Sequence, residues 1–119
     1  MKYLIIGNKD TNKLALELSD YYGIEIFNVS CSDNINEINK IVRENKEWII
    51  EGEFIDNLDV LCNLCETVIY LDYSKKKDND NTDLIKLLQK HIRKGIIIRS
   101  KREYKKYLKS VYESDRYNF

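Results

Sequence analysis

Five short apolar runs alternate with segments whose apolar residues recur at helical spacing, and this alternation constrains the fold most strongly. Such runs are typical of strands, and the segments between them are long enough to form helices. A helix between two strands carries the chain back across the sheet, so that consecutive strands run in the same direction. The sequence therefore predicts an α/β fold of three α-β-α layers around a five-stranded parallel sheet.

The predicted elements follow from periodicity and from their end signals. The predicted strands are Tyr3–Ile6, Ile24–Val29, Trp48–Ile50, Thr67–Leu71 and Ile96–Ile98. The predicted helices cover about Asn12–Tyr22, Asn34–Glu44, Phe54–Cys65 and Asp83–Lys94, with a last helix from a Ser100 cap to Tyr112. Gly23 is placed to end the first helix, and Ser100 with Glu103 forms a capping box. The 119 residues suit one domain, with no internal repeat.

Composition limits the location and the partners. The formal net charge is zero, so we expect no bulk attraction to nucleic acid or to an anionic membrane. No apolar run approaches the roughly 20 residues that cross a bilayer, and we expect no signal peptide. Three cysteines without a dense spacing framework indicate a reducing compartment, and hence a cytoplasmic protein. Abundant Ile, Asn, Lys and Tyr fit a low-GC bacterium or one of its phages.

The segment between the first strand and the first helix has the layout of a phosphate-binding loop, G-x-x-x-x-G-K-[ST]. In such a loop, backbone N–H groups and a helix N-terminus surround phosphate oxygens. Gly7 and Lys13 match the pattern, whereas Asn12 replaces the second glycine and Leu14 replaces the hydroxyl that holds Mg²⁺. The candidate nucleotide-binding residues are Gly7, Asn8, Asn12 and Lys13.

Other polar residues are predicted at the same edge of the sheet, where ligands of parallel α/β folds bind. Ser30, Glu51, Asp72 and Arg99 each follow or end a predicted strand. Arg93, near the end of the fourth predicted helix, joins them as a candidate. We interpret these five residues as the rim of a site for a substrate or a partner.

Four stretches resemble small P-loop kinases related to adenylate kinase, in particular the group of DNA topology modulation proteins. They are Ile5–Lys13, Trp48–Phe54 (similar to W-I-[IL]-D-G-N-Y), Thr67–Asp72 (similar to T-V-I-x-L-D) and Ile98–Glu103 (similar to L-R-S-R-R-E). The resemblance covers nearly the whole chain. It implies an adenylate kinase-like strand order, 2-3-1-4-5, and ATP or another nucleotide as the candidate ligand.

The departures from that family are at positions of chemical importance. Leu14 offers no oxygen to a hard cation. Asn12 tolerates a positive φ better than most residues, which would partly preserve the loop. Asp10 repels phosphate by about 4 kcal/mol at ~4 Å and an effective dielectric near 20, or else binds back to the loop amides. Ser30 stands where the resemblance implies an Asp. The segment before the fifth strand is short for the family's arginine-bearing lid, with Arg93, Lys94 and Lys75–Lys77 remaining.

Two functions of different class are consistent with these residues. The first is a catalytically impaired kinase-like protein that acts by binding a protein partner, as a regulator, an inhibitor or a decoy. The alternative is an active kinase or NTPase that uses Lys13, with Thr11 or Ser30 supplying the hydroxyl. A third hypothesis is a nucleotide sensor without turnover. We assign no catalytic residue and no metal ligand.

Two further motifs have simpler interpretations. Cys62 and Cys65 have C-x-x-C spacing, but Cys31 and His91 complete no zinc motif, so we expect buried small hydrophobes. The segment Asp78–Asp83 resembles the start of a Ca²⁺ loop but lacks its glycine and its distal Glu, so we expect a solvated loop.

The last helix and the tyrosines bear on partners. Arg102, Lys105, Lys106 and Lys109 share one helical face, with Arg99 and Lys101 nearby. This face is either a solvated exterior or a surface for an acidic partner. The chain has nine tyrosines, and exposed ones would favour a binding role because tyrosine is enriched at interfaces.

Overall fold

Five parallel strands form one sheet in the order β2-β3-β1-β4-β5, as the family resemblance implied. The computed structural model describes residues 1–7, 9–29, 35–52, 58–73 and 95–114. The strands are β1 Lys2–Gly7, β2 Ile26–Asn28, β3 Trp48–Gly52, β4 Thr67–Leu71 and β5 Gly95–Ile98. The described helices are α1 Thr11–Tyr22, α2 Ile35–Glu44, α3 Leu58–Leu64 and α4 Lys101–Ser114. The predicted three-layer α/β class is confirmed.

The two faces of the sheet are buried in two separate cores. Successive residues of β1 alternate between them, so that Ile5 packs with Leu14 and Leu18 of α1, whereas Leu4 packs on the other face. The first core also takes Tyr104, Leu108 and Val111 from α4, and the second takes Ile38 from α2 and Leu61 from α3. Because the central strands are covered on both sides, they are almost uniformly apolar.

The second strand is shorter than predicted. Ile24 and Val29 are buried, at 4% and 6% exposure, yet ladder pairing is limited to Ile26, Phe27 and Asn28. Among the described strands, β2 lies at the sheet edge and pairs with β3 alone. Burial of apolar side chains therefore extends beyond the three paired residues, and the Val29 N–H still donates to the Glu51 carbonyl at 3.0 Å, which is why the apolar pattern predicted a longer strand.

Two predicted helix ends are confirmed by their geometry. Gly23 has φ 70° and donates its N–H to the Ser19 carbonyl at 2.8 Å, which closes α1 as a left-handed cap. At the start of α4, the Ser100 hydroxyl accepts the Glu103 N–H at 3.2 Å. The Glu103 carboxylate reaches back one residue further than expected and accepts the Arg99 N–H at 2.8 Å.

Most of the described tyrosines pack against other parts of the protein and are not exposed. Among the eight that the structure describes, Tyr112 alone is classed as exposed, at 41%. Its ring lies 4.8 Å from that of Tyr21, which in turn lies 4.9 Å from that of Tyr22. Tyr3 stacks on Tyr22 at 6.1 Å. The high tyrosine content is therefore used to join the end of α1 to α4 and β1.

The remaining sequence predictions divide by location. Cys62 and Cys65 are buried in the second core, as predicted. The predicted fourth helix, the loop Asp78–Asp83, Cys31 and His91 lie outside the described residues. Within the described ranges, none of the helices has the length and apolar character needed to cross a membrane.

A candidate site at the carboxyl edge of the sheet

Gly7 ends the central strand and begins the candidate loop. It has φ 151°, and an added Cβ would overlap the carbonyl oxygen of Leu71, its partner in the neighbouring strand β4. Only glycine allows β1 and β4 to approach this closely while the chain turns away. The loop therefore starts from a fixed point at the carboxyl edge.

The structure brings several predicted residues to this edge. Glu51 pairs in register with Ile5 and Asn28, two residues or fewer from the ends of their strands. Asp72 directly follows β4 and donates its N–H to the Ile98 carbonyl at 2.9 Å, which places Arg99 at the same edge. Asn8, Ser30 and Arg93 lie outside the described residues.

The left-handed residue of the loop is Asp10, not Asn12. Asp10 has φ 61° and ψ 14°, and α1 begins at the next residue, Thr11. Asn12 is therefore helical, so the positive φ that asparagine tolerates is not used at this position. The Asp10 carboxylate makes no capping hydrogen bond to α1.

Lys13 points toward α4. Its side chain is exposed, and its ammonium lies 5.4 Å from the centre of the Tyr104 ring. This distance allows a cation–π interaction, which contributes about 0.5–1 kcal/mol at an exposed site. The Tyr104 hydroxyl donates to Glu17 at 2.5 Å, so the ring is held in place. The one basic residue of the loop motif is thus engaged with the last helix.

Leu14 is completely buried in the first core, at 0% exposure. Its N–H donates to the Asp10 carbonyl at 3.0 Å, the first regular bond of the helix. The position that would carry a metal-binding hydroxyl is therefore directed into hydrocarbon. Thr11, one of the two substitute hydroxyls considered from sequence, is itself 6% exposed.

Glu51 is the buried carboxylate of the site. It is 7% exposed, and its Oε1 accepts a hydrogen bond from Asn12 Nδ2 at 3.4 Å. This contact joins the end of β3 to the first turn of α1. Asn12 consequently holds a carboxylate beside the start of α1.

Two tyrosine hydroxyls and two carboxylates lie near the start of α1, and sequence reasoning missed this group. Burial, then the negative charge of Asp10 and a hydrogen bond to it, raise the pKa of Tyr73 to about 12. Burial first, and then the hydrogen bond to Glu17, raise the pKa of Tyr104. The group forms between α1, α4 and the end of β4, and no local spacing in the sequence indicates it.

The residues present do not fit a nucleotide with its metal. A hard cation requires oxygen ligands, and Leu14 has none. Among the described residues, no three His, Cys, Asp or Glu side chains come together as a metal-binding group. Asp10 and Glu51 add negative charge close to the helix N-terminus, which opposes the approach of phosphate.

The chain matches no protein-family model and no curated protein sequence. The kinase resemblance therefore stays a prediction carried by the motifs themselves, and the confirmed strand order supports the fold that it implied.

Proposed function

We propose that this chain is a nucleotide kinase-like protein that has lost phosphoryl transfer and acts by binding a protein partner. It would act in the cytoplasm as a regulator, an inhibitor or a decoy, by occupying a partner rather than converting a substrate. The single observation that carries the proposal is Leu14, whose side chain is fully buried at the position of the metal-binding hydroxyl.

Leu14 supports the loss of catalysis for a physical reason. Phosphoryl transfer depends on a metal, lysine and arginine side chains that position and neutralise the phosphates. Leu14 packs with Ala15, Leu18 and Ile5 in the first core, so replacing it with a hydroxyl would open that core. At the position where phosphoryl transfer requires an oxygen, α1 therefore has a hydrocarbon side chain packed in the core.

The neighbours of Leu14 support the same proposal. Lys13 lies against Tyr104, and Asn12 is bonded to Glu51. Two like charges about 4 Å apart repel by about 4 kcal/mol at an effective dielectric near 20, so Asp10 and Glu51 disfavour a polyphosphate. A parallel α/β scaffold is retained while its loop is poorly suited to the ligand, which favours a binding role.

The deciding experiment is an assay of Mg²⁺-dependent ATP and GTP hydrolysis with the full chain. We expect no turnover above buffer, because Leu14 supplies no oxygen at the motif position that binds the metal. The matched pair of variants is Lys13→Ala and Lys9→Ala, since both lysines are exposed and only Lys13 occupies the motif position. Turnover that Lys13→Ala abolishes and Lys9→Ala retains would establish the alternative, an active kinase or NTPase.

Thermal stability separates a binding protein from a nucleotide sensor. A ligand present at 100 times its Kd stabilises the native state by about 2.7 kcal/mol. We expect no such stabilisation by ATP, GTP or nucleoside monophosphates. A saturable increase in melting temperature that needs Lys13 but not Lys9 would instead support a sensor without turnover.

A further inference from the structure

The outward side of α4 carries mostly positive charge. We call Lys101, Arg102, Lys105, Lys106 and Lys109 the cationic face; all five are exposed. The other side of the helix is fixed, since Tyr104, Leu108 and Val111 are buried in the first core. The direction of the cationic face is therefore set by packing, and its charges necessarily point to solvent.

The two carboxylates of α4 neutralise little of this face. Glu103 accepts the Arg99 backbone N–H at 2.8 Å and thereby belongs to the helix cap. Glu113 lies 3.9 Å from Lys109, with both side chains at least half exposed. In the part of the chain that the structure describes, the other four members of the cationic face form no ion pair.

The arrangement opposes the stability of its own helix. Lys101 with Lys105, Arg102 with Lys106, and Lys105 with Lys109 are like-charge pairs four residues apart, and such pairs are destabilising. Lys101 and Arg102 also occupy the first turn, where the helix dipole disfavours cations. Solvation of the face does not require like charges at this spacing or cations in the first turn. Local rules of stability are broken in this way mainly where a residue serves a function.

The outer side of α2 provides an internal comparison. There Glu37, Lys40 and Glu44 alternate in sign at spacings of three and four. Glu37 is in the first turn and Arg43 in the last, as the helix dipole favours. The chain has 20 basic and 20 acidic residues, so the excess of cations on α4 is a local property and no consequence of overall composition.

We infer that the cationic face is the docking surface for an acidic segment of the protein partner. The inference rests on the proposed function and adds to it a surface and a partner chemistry. Charge complementarity identifies the occupant, since four of the five cations lack a partner within the described structure. Tyr112 continues the face beyond Lys109, and its ring is held 4.8 Å from Tyr21, which offers a rigid aromatic contact beside the cations.

A protein segment fits this face better than nucleic acid. From Arg102 to Lys109 the face extends roughly 10 Å along the helix, which matches a few acidic residues. A long polyanion depends on broad electrostatic attraction and on many simultaneous phosphate contacts. The zero net charge of the chain provides no such attraction.

The test uses the full chain, its double variant Arg102→Glu/Lys105→Glu and the control Lys40→Glu/Lys46→Glu. Lys40 and Lys46 are exposed but lie outside the cationic face. The probe is fluorescein-labelled decaglutamate at about 50 mM salt, where surface charges are weakly screened. We expect binding to weaken at least about tenfold in the face variant and to change less than about twofold in the control.

Stability distinguishes this result from misfolding. The face variant converts all three like-charge pairs into attractive ones, so its melting temperature should be unchanged or higher while its binding falls. Acetylation of lysines, read by mass spectrometry, locates the contact. Decaglutamate should protect Lys101, Lys105, Lys106 and Lys109 and leave Lys40 and Lys46 reactive.

Three results would overturn the inference: no binding of decaglutamate, equal loss in the control variant, or tighter binding of a short DNA duplex than of decaglutamate. The last result would assign the face to nucleic acid. None of these results bears on the hydrolysis assay, which tests the loss of catalysis separately. Conversely, ATP turnover would contradict the proposed function and leave the measured binding at α4 as it stands.

Discussion

Two of the helices that begin at the carboxyl edge, α1 and α4, start in opposite ways. At α4, Ser100 and Glu103 accept backbone N–H groups at 3.2 and 2.8 Å, so neighbouring side chains complete the helix start. At α1, Asp10 takes a left-handed conformation and its side chain caps nothing. Both helices have the same unpaired first-turn amides to satisfy.

The difference shows where each helix gets its stability. The start of α4 is closed by residues adjacent in sequence, whereas α1 depends on the fixed turn at Gly7 and on the buried side of the helix, above all Leu14. A left-handed Asp10 costs roughly 1 kcal/mol that packing has to offset. Substitutions should therefore be severe at Gly7 and Leu14 and mild at Asp10, and the cap of α4 should lie between.

The largest effect is expected for Gly7→Ala. The new Cβ would overlap the Leu71 carbonyl oxygen at a φ of 151°, and neither of the two central strands can move away freely. We expect a loss of about 3 kcal/mol or more in the free energy of unfolding, measured by urea denaturation. Gly23→Ala is the control: its φ is 70°, but an added Cβ meets no atom within 4 Å. That variant should lose only about 1 kcal/mol. Equal losses would mean that contact with Leu71 is unimportant.

Leu14→Ser should have the next largest effect. The substitution restores the motif hydroxyl but removes a side chain that is 0% exposed, so we expect a loss of about 3 kcal/mol and no gain of ATP turnover. Leu16→Ser is the matched control, because Leu16 is on the same helix and 55% exposed. Its loss should stay within about 0.5 kcal/mol. A Leu14→Ser protein that folds well and hydrolyses ATP would contradict the claim that Leu14 is required for packing and that the loop no longer suits phosphoryl transfer.

Substitutions at the two cap positions should differ in the sign as well as the size of their effect on the free energy of unfolding. Ser100→Ala removes the acceptor of the Glu103 N–H and should destabilise by about 1 kcal/mol. Asp10→Gly removes no cap bond and relieves a left-handed conformation, so it should be neutral or stabilising by up to about 1 kcal/mol. Chemical denaturation of the two variants decides the matter. If Asp10→Gly destabilises as much as Ser100→Ala, the hydrogen bond between Asp10 and Tyr73 outweighs the cost of the left-handed conformation.

The same comparison explains which features the sequence could predict. The α4 cap was predictable because Ser100 and Glu103 lie three residues apart, and the parallel sheet was predictable because alternating strands and helices leave little choice. The strand order needed the family resemblance. The positive φ was assigned to Asn12 by the motif, but it lies at Asp10, since α1 begins one residue before the position of the missing glycine.

The contacts of the loop could not be predicted from local sequence. Lys13 meets Tyr104, which is 91 positions away, and Asn12 meets Glu51, which is 39 positions away. Each contact depends on how α1 packs against α4 and β3, and a motif records only neighbours along the chain. The tyrosines show the same limit, because their number was evident while their burial depended on packing between helices.

The smallest effect at neutral pH is expected for Asp10→Asn, which tests the electrostatics at the start of α1. Burial raises the pKa of Tyr73 above 10, and Asp10 contributes further, to about 12. Removing the Asp10 charge should lower the pKa of Tyr73 and leave it above 10, measured as tyrosinate absorbance relative to a Tyr73→Phe background. The pKa of Tyr107, also about 12, is raised by burial and by Tyr22, so it should not change.

The direction of the pH dependence follows from the raised pKa of Tyr73. In the unfolded chain the hydroxyl ionises near pH 10, and in the folded protein near pH 12. Its contribution to stability is therefore complete below pH 10 and is lost as the pH rises to 12, because the unfolded state releases the proton first. Asp10→Asn should lower the folded-state pKa of Tyr73, so that the loss of stability should be complete below pH 12 in this variant. If the variant kept the full range, burial alone would hold the Tyr73 proton, and the α1 start would be shaped by packing without a contribution from its charge.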